Sequence, residues 1–143
     1  MSDNAYGKAL YGRGLGPVDA WMLGEDSGLQ VDALDGRPGV ETARWAQGRH
    51  VERILEALEG VEDRRARYVC ELVCLDPAGQ GLRATGTLEG RIAHEPRGTA
   101  GFGFDPVFVP DGETRTVAEL GDAWKAEHSH RARAAKALAA KLR

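Results

Sequence analysis

Between Arg67 and Leu75 the chain reads RYVCELVCL, a run dense in Tyr, Val, Cys and Leu that predicts a strand. Asp76-Pro77-Ala78-Gly79 follows with turn chemistry. From Gly81 to Ile92 the pattern alternates. Leu82, Ala84, Gly86 and Leu88 fall on one side; Arg83, Thr85, Thr87 and Glu89 fall on the other. The two runs together predict an antiparallel hairpin. Helical spacing appears in Val51 to Leu58, where Ile54, Leu55 and Leu58 share a face and Gly60 ends the segment. Ser129 to Leu142, rich in Ala, Lys and Arg, predicts a second and stronger helix with Ser129 as its N-cap.

The other segments are shorter. Residues 3–12 carry an apolar stripe of Ala5, Ala9 and Leu10, weakened by Gly7 and Gly12, and read as the end of a helix. Gly12 to Ala20 is a turn-rich connector. Ala20 to Leu23 is an apolar run that breaks at Gly24-Glu25-Asp26-Ser27-Gly28. Leu29, Val31, Ala33 and Leu34 come next, before a loop containing Gly36, Pro38 and Gly39. Phe104 to Val109 predicts a short strand and Thr116 to Leu120 a helical turn. A hairpin mixed with helices predicts a single α/β or α+β domain.

Composition narrows the function classes. The 143 residues, 42% hydrophobic and 29% charged, suit one soluble domain with a core of its own. A net charge of -3 gives no general reason to bind a nucleic acid polymer or an anionic membrane. No stretch approaches the ~18 apolar residues of a membrane span, and no signal-peptide pattern is apparent. Cys70 and Cys74 would share one strand face with Cα atoms about 13 Å apart, too far for a disulfide. They read as small buried hydrophobes, and a reducing cytosol suits both thiols.

Three segments carry candidate chemistry. Glu25-Asp26-Ser27-Gly28 reads as a carboxylate turn at a strand end. Two adjacent carboxylates there suit a hard cation such as Mg²⁺, or one of them accepts the proton of an attacking water; a solvated acidic turn explains the same residues. Gly98 to Phe108 (GTAGFGFDPVF) is the densest signal. Its glycines admit close backbone approach, Phe102 and Phe104 flank Gly103 as platforms for a purine base, and Asp105 can accept hydrogen bonds from a base edge. A Gly-rich turn anchored by its Phe residues reads equally well, and the Gly-Lys-Ser/Thr ending of a Walker A loop is absent. Finally, Lys125 precedes Ser129-His130-Arg131 at the start of the last helix, where His130 and Arg131 offer donors to a carbonyl oxygen; a capped helix with solvated basic residues is the alternative. His50, His94 and His128 read as surface residues. A Ser-His-Asp triad on Ser129 and His130 is disfavoured, because adjacent helix-start residues point apart.

In order along the chain, NAYGKA, GEDSGLQVDALDGRPGVETARWA, EPRGTAGFGFDPVFVP, TVAEL and SHRARAAKAL resemble the inosine/xanthosine triphosphate pyrophosphatase family over nearly the whole length. GTAGFGFDP in that order is highly specific. The resemblance implies an elongated α/β fold with a mixed sheet, flanking helices and a cleft between two lobes. It implies Mg²⁺ as cofactor, a cytoplasmic homodimer, and hydrolysis of deaminated purine nucleoside triphosphates (ITP, dITP, XTP) to monophosphate and pyrophosphate, which cleanses the nucleotide pool. Asp26 matches the catalytic and metal-binding aspartate, with Glu25 as its acidic neighbour at the metal. Ser27, Phe102, Gly103, Phe104, Asp105, Lys125, His130 and Arg131 match substrate contacts, and Lys8 matches a lysine that approaches the phosphates. Hypoxanthine and xanthine carry an acceptor oxygen at position 6 where adenine carries an amino donor, so donors from His130 and Arg131 would pair with the former and confront the latter.

Departures from the family pattern accompany the match. The opening strand, the Gly-Asn-x-x-Lys phosphate loop and an acidic metal ligand have no counterpart ahead of Asn4. Gly48 to Leu55 is shortened, and Trp124 replaces an acidic residue. The expected domain is therefore residues 1–143, a family domain without its first strand. The alternatives it leaves are a member that binds nucleotide with little turnover, and a Mg²⁺-dependent nucleotide hydrolase of relaxed base choice.

Overall fold

A computed structural model of the chain describes residues 21–142. The helix expected over residues 3–12, the connector to Ala20, and Lys8 lie outside the described residues. In chain order the elements are β1 (Met22–Val31), a 3₁₀ turn (Asp32–Leu34), β2 (Arg37–Gly39), α1 (Thr42–Ala46), α2 (His50–Ala57), β3 (Arg65–Leu75), β4 (Gly81–Ile92), a 3₁₀ turn (Asp105–Val107), β5 (Phe108–Pro110), α3 (Val117–Leu120), α4 (Asp122–His128) and α5 (His130–Lys141). The expected mixture of sheet and helices is present. The strands form one sheet in the order β2-β1-β3-β4-β5, and all four pairings are antiparallel among the described residues.

The hairpin forms where the alternation placed it, with Arg65 opposite Arg91 and Leu75 opposite Gly81. β3 pairs with β4 along its whole length and with β1 from Ala66 to Leu75, and side chains on both of its faces are buried, which accounts for its nearly continuous apolar sequence. The first strand differs from expectation. Gly24 to Gly28 is not a turn: β1 runs unbroken from Met22 opposite Leu75 to Val31 opposite Ala66. A full backbone ladder with β3 outweighs the weak intrinsic strand preference of Gly, Asp and Ser. The strand read at Phe104–Val109 shrinks to β5, because Pro106 supports a 3₁₀ turn immediately before it.

One face of the sheet carries two cores. Toward one end, Ala134 and Leu138 of α5 pack on Cys70, Leu72, Cys74 and Ala84. Both cysteines are free and buried, as the strand spacing required. Gly86 allows this docking, since a Cβ there would stand 2.0 Å from the His130 carbonyl oxygen and 2.2 Å from the Ala134 nitrogen. Toward the other end, Ile54 and Leu58 of α2 join Leu29, Val31, Tyr68, Leu88, Phe104 and Phe108. Buried Arg64 ties this end together by donating to the carbonyls of Leu58 (2.8 Å), Ile92 (2.9 Å) and Ala93 (3.0 Å). Thr116 and Glu119 form a capping box at α3, and Ser129 caps α5 by accepting from the Ala132 N–H at 3.1 Å.

Candidate active site

A cavity of ≈ 570 Å³ opens between the two cores, within the range of small-molecule sites. β1 and β3 supply Ser27, Gly28, Leu29 and Tyr68. The Gly101–Asp105 loop forms one wall, and α4 and the start of α5 form another with Lys125, His130 and Arg131. Of the residues assigned from the resemblance, Ser27, Phe102, Gly103, Phe104, Asp105, Lys125, His130 and Arg131 converge here.

Their roles separate once contacts are considered. Phe102 is 71% exposed and presents an open ring, whereas Phe104 is 2% exposed and belongs to the core. Of these two rings, Phe102 is thus the one available to stack on a planar ligand. The Lys125 ammonium sits 3.9 Å above its ring centroid. Asp105 departs from expectation. It is buried, and its carboxylate is occupied within the protein rather than offered to a base edge. One oxygen accepts from the Tyr68 hydroxyl at 3.0 Å; the other accepts from Lys125 Nζ at 2.6 Å and from the Phe102 N–H at 3.1 Å. This carboxylate folds the loop back on itself and sets the Phe102 platform. Gly101 permits the closure, because a Cβ there would stand 2.2 Å from Asp105 Oδ2 and the residue's φ is +76°. Burial first, and the Asp105 charge second, push the Tyr68 phenol well above its ordinary pKa, so it remains a neutral donor.

His130 stacks on Tyr68 with ring centroids 4.7 Å apart and planes 16° from parallel. Burial, aided by the Arg131 and Lys125 charges, lowers its pKa to about 4. At neutral pH the ring is therefore uncharged and carries one N–H, not two. Its Nδ1 is buried with no hydrogen-bond partner among the described residues. Arg131 reaches the other way along the wall and donates from Nη2 to Glu25 Oε1 at 3.2 Å. The same oxygen accepts from the Ser27 hydroxyl at 2.5 Å, with the Cys70 thiol 3.9 Å away.

The carboxylate pair does not act as a unit. Glu25 is opposite Leu72 and Ser27 opposite Cys70, whereas Asp26 is opposite Glu71. Successive side chains on a strand alternate faces, so Glu25 and Ser27 face α5 while the buried Asp26 faces the other side with Glu71. A single ion shared by Glu25 and Asp26, as expected for a turn, does not suit this geometry. Asp26 brings a hard carboxylate donor of the kind Mg²⁺ favours, with Glu71 as its cross-strand neighbour. Among the described residues no three His, Cys, Asp or Glu side chains gather into a metal cluster.

His50 and Tyr68 are among the lining residues that the sequence pattern did not mark. His50, read as a surface residue, lines the cavity and meets Phe104 edge-on at 4.9 Å. Tyr68 lies in a strand whose alternation places it on the buried face, but nothing local marks it as the partner of Asp105. His94 is exposed, and His128 packs against Trp124 at 5.0 Å on the surface, as expected. Ser129 is spent on its cap, which leaves no Ser-His-Asp arrangement at this position.

Comparison with known proteins gives consistent findings. A model of the Ham1 family matches residues 1–141. A dITP/XTP pyrophosphatase from Opitutus terrae is 49% identical over 138 residues, covering 92% of this chain and 68% of that protein. One from Bdellovibrio bacteriovorus is 41% identical over 149 residues, covering 99% of this chain and 74% of that protein. A HAM1 protein from Coxiella burnetii superposes with a TM-score of 0.87 at 36% identity, covering 99% of this chain and 76% of that one. The chain thus spans roughly two-thirds to three-quarters of the length of these relatives.

Proposed function

Because this chain belongs to the Ham1 family, we propose that it hydrolyses deaminated purine nucleoside triphosphates, ITP, dITP and XTP, to the monophosphate and pyrophosphate. The observation that carries the reading is the convergence of the exposed Phe102 ring with Lys125, His130 and Arg131 around one cavity. A purine stacks on Phe102, which contributes about 1–3 kcal/mol and tolerates any base. Choice among bases comes from the donors. The Arg131 guanidinium and the single His130 N–H pair with a 6-oxo group and meet a donor in adenine, leaving groups unpaired at about 1–3 kcal/mol each.

The chemistry falls to Asp26. Adjacent strand positions face opposite ways, so a triphosphate whose base occupies the cavity must pass the edge of β1 beyond Ser27 to reach it. Asp26 takes a proton from water as the water oxygen bonds the α-phosphorus. The bond from that phosphorus to the bridging oxygen breaks, and pyrophosphate departs. Asp26 would hold a Mg²⁺ ion, whose chemistry there would be to offset the negative charge of the phosphate oxygens. Two free thiols suit a reducing cytoplasm. Trp21 and Leu23, 55% and 62% exposed, offer apolar surface suited to a second copy of the chain in a homodimer.

A binding-only member is not favoured, since the matched relatives bear the name of the activity. The deciding experiment is Mg²⁺-dependent pyrophosphate release measured over dITP, ITP, XTP, dATP and dGTP. Selective release from the 6-oxo, non-guanine substrates is expected. Release that is equal across bases, or none at all, overturns the proposal.

A further inference from the structure

From the contacts of Glu25 we infer that it is a positioning residue for Arg131, and so a determinant of base selectivity, rather than a ligand of the catalytic metal. The inference rests on the proposed role of Arg131 at the base edge.

Strand register decides which face Glu25 occupies. It stands with Ser27 and Leu29 on the side that carries α5 and the cavity, one pleat from Asp26 and facing away from it. A phosphate-bound ion at Asp26 is therefore on the wrong side of the sheet for Glu25. Its carboxylate is committed instead: Oε1 receives the Ser27 hydroxyl at 2.5 Å and Arg131 Nη2 at 3.2 Å. Both partners line the cavity.

Arg131 needs such a tether. Its side chain is 57% exposed and lies at the first turn of α5, where a long guanidinium would otherwise sample many rotamers. One donor held by Glu25 leaves four N–H donors on a rigid planar fork for a ligand. Ser27 in turn fixes the carboxylate rotamer, because its hydroxyl comes from the same strand face two residues on. The chain Ser27–Glu25–Arg131 thus preorganises a base-reading donor from the strand beneath it. A partly exposed ion pair adds little to stability, so removing Glu25 should leave the fold intact and act on recognition.

The test compares Glu25→Gln, Glu25→Ala, Arg131→Ala and the double variant Glu25→Ala/Arg131→Ala in the full chain. Three readouts are taken: the ratio of kcat/KM for ITP over ATP, the Mg²⁺ concentration for half-maximal rate, and the Kd of inosine monophosphate without metal by calorimetry. Glu25→Ala is expected to lower the ITP/ATP ratio and weaken inosine monophosphate about 5- to 10-fold, with the Mg²⁺ requirement unchanged. Glu25→Gln retains an acceptor oxygen and should recover most of the selectivity. In the Arg131→Ala background, loss of Glu25 should add nothing, the signature of two residues acting as one unit. A rise of tenfold or more in the Mg²⁺ requirement, equal for Gln and Ala and without change in the ratio, makes Glu25 a metal ligand and overturns the inference. So does a full additional loss in the double variant. If Arg131→Ala itself leaves both the ratio and inosine monophosphate binding unchanged, the base-edge role of Arg131 fails and this inference fails with it. A change with Arg131→Ala but none with Glu25→Ala sinks the Glu25 role alone.

Discussion

Removing the Asp105 carboxylate should cost more stability than any other single change at the cavity. Three donors converge on it: the buried Tyr68 hydroxyl at 3.0 Å, the Phe102 N–H at 3.1 Å and Lys125 Nζ at 2.6 Å. In Asp105→Ala the Tyr68 hydroxyl loses its buried partner, at about 1–3 kcal/mol, and the partly buried Phe102 N–H adds about 1 kcal/mol. Lys125, 21% exposed, can turn toward water, so its share is discounted. The sum is about 2–4 kcal/mol, a large part of the 5–15 kcal/mol that holds a typical domain together. For a chain of this size that lowers Tm by roughly 10 °C. Asp105→Asn should cost roughly half as much, because its amide offers an oxygen to Lys125 and Phe102 and an N–H₂ that Tyr68 can accept. Thermal and urea unfolding followed by circular dichroism measure both variants. A second consequence concerns the ligand: with the loop released, the Phe102 platform loses its anchor, and inosine monophosphate binding should weaken even where the protein is still folded. A Tm for Asp105→Ala within 2 °C of the parent would falsify the view that this carboxylate closes the loop.

Other perturbations test separate parts of the structure. Asp26→Asn keeps shape and removes the anionic base, so turnover should fall at least about 10²-fold with Tm little changed; a folded variant with near-normal pyrophosphate release removes Asp26 from the chemistry. His130 has its pKa lowered by burial to about 4, below its ordinary 6.5, so the unfolded state binds the extra proton between these values. Stability should then be steady above pH 6.5 and decline as pH falls toward 4, by about 3 kcal/mol in all. Replacing His130 with Phe should flatten that decline in urea titrations across pH, and an unaltered profile rejects the assignment. Gly86→Ala drives a Cβ into the α5 backbone and should destabilise by about 3 kcal/mol or more; unfolding midpoints unchanged from the parent show that α5 does not dock there.

Local pattern was enough for the elements whose cause is local. The β3–β4 hairpin follows from period-two alternation around Asp76–Gly79, and α5 from its Ala-rich composition behind Ser129. The order of motifs through GTAGFGFDP likewise identified the family and grouped Phe102, Lys125, His130 and Arg131 before any distance was known. Tertiary structure decided what those residues face. Glu25 and Asp26 are neighbours in sequence, but a ten-residue ladder with β3 makes them strand positions and sends them to opposite sides of the sheet. Glu25 then meets Arg131 across 106 positions of chain. Asp105 offers free acceptors on paper; Tyr68, 37 positions away, and Lys125 claim them in the folded chain. His50 looks like a surface residue until Phe104 docks beside it. The physical reason is the same in each case. Periodicity and propensity act over a few residues, whereas the partner of a polar side chain is set by strand register and by the docking of α5 on Gly86, and both join segments far apart in sequence.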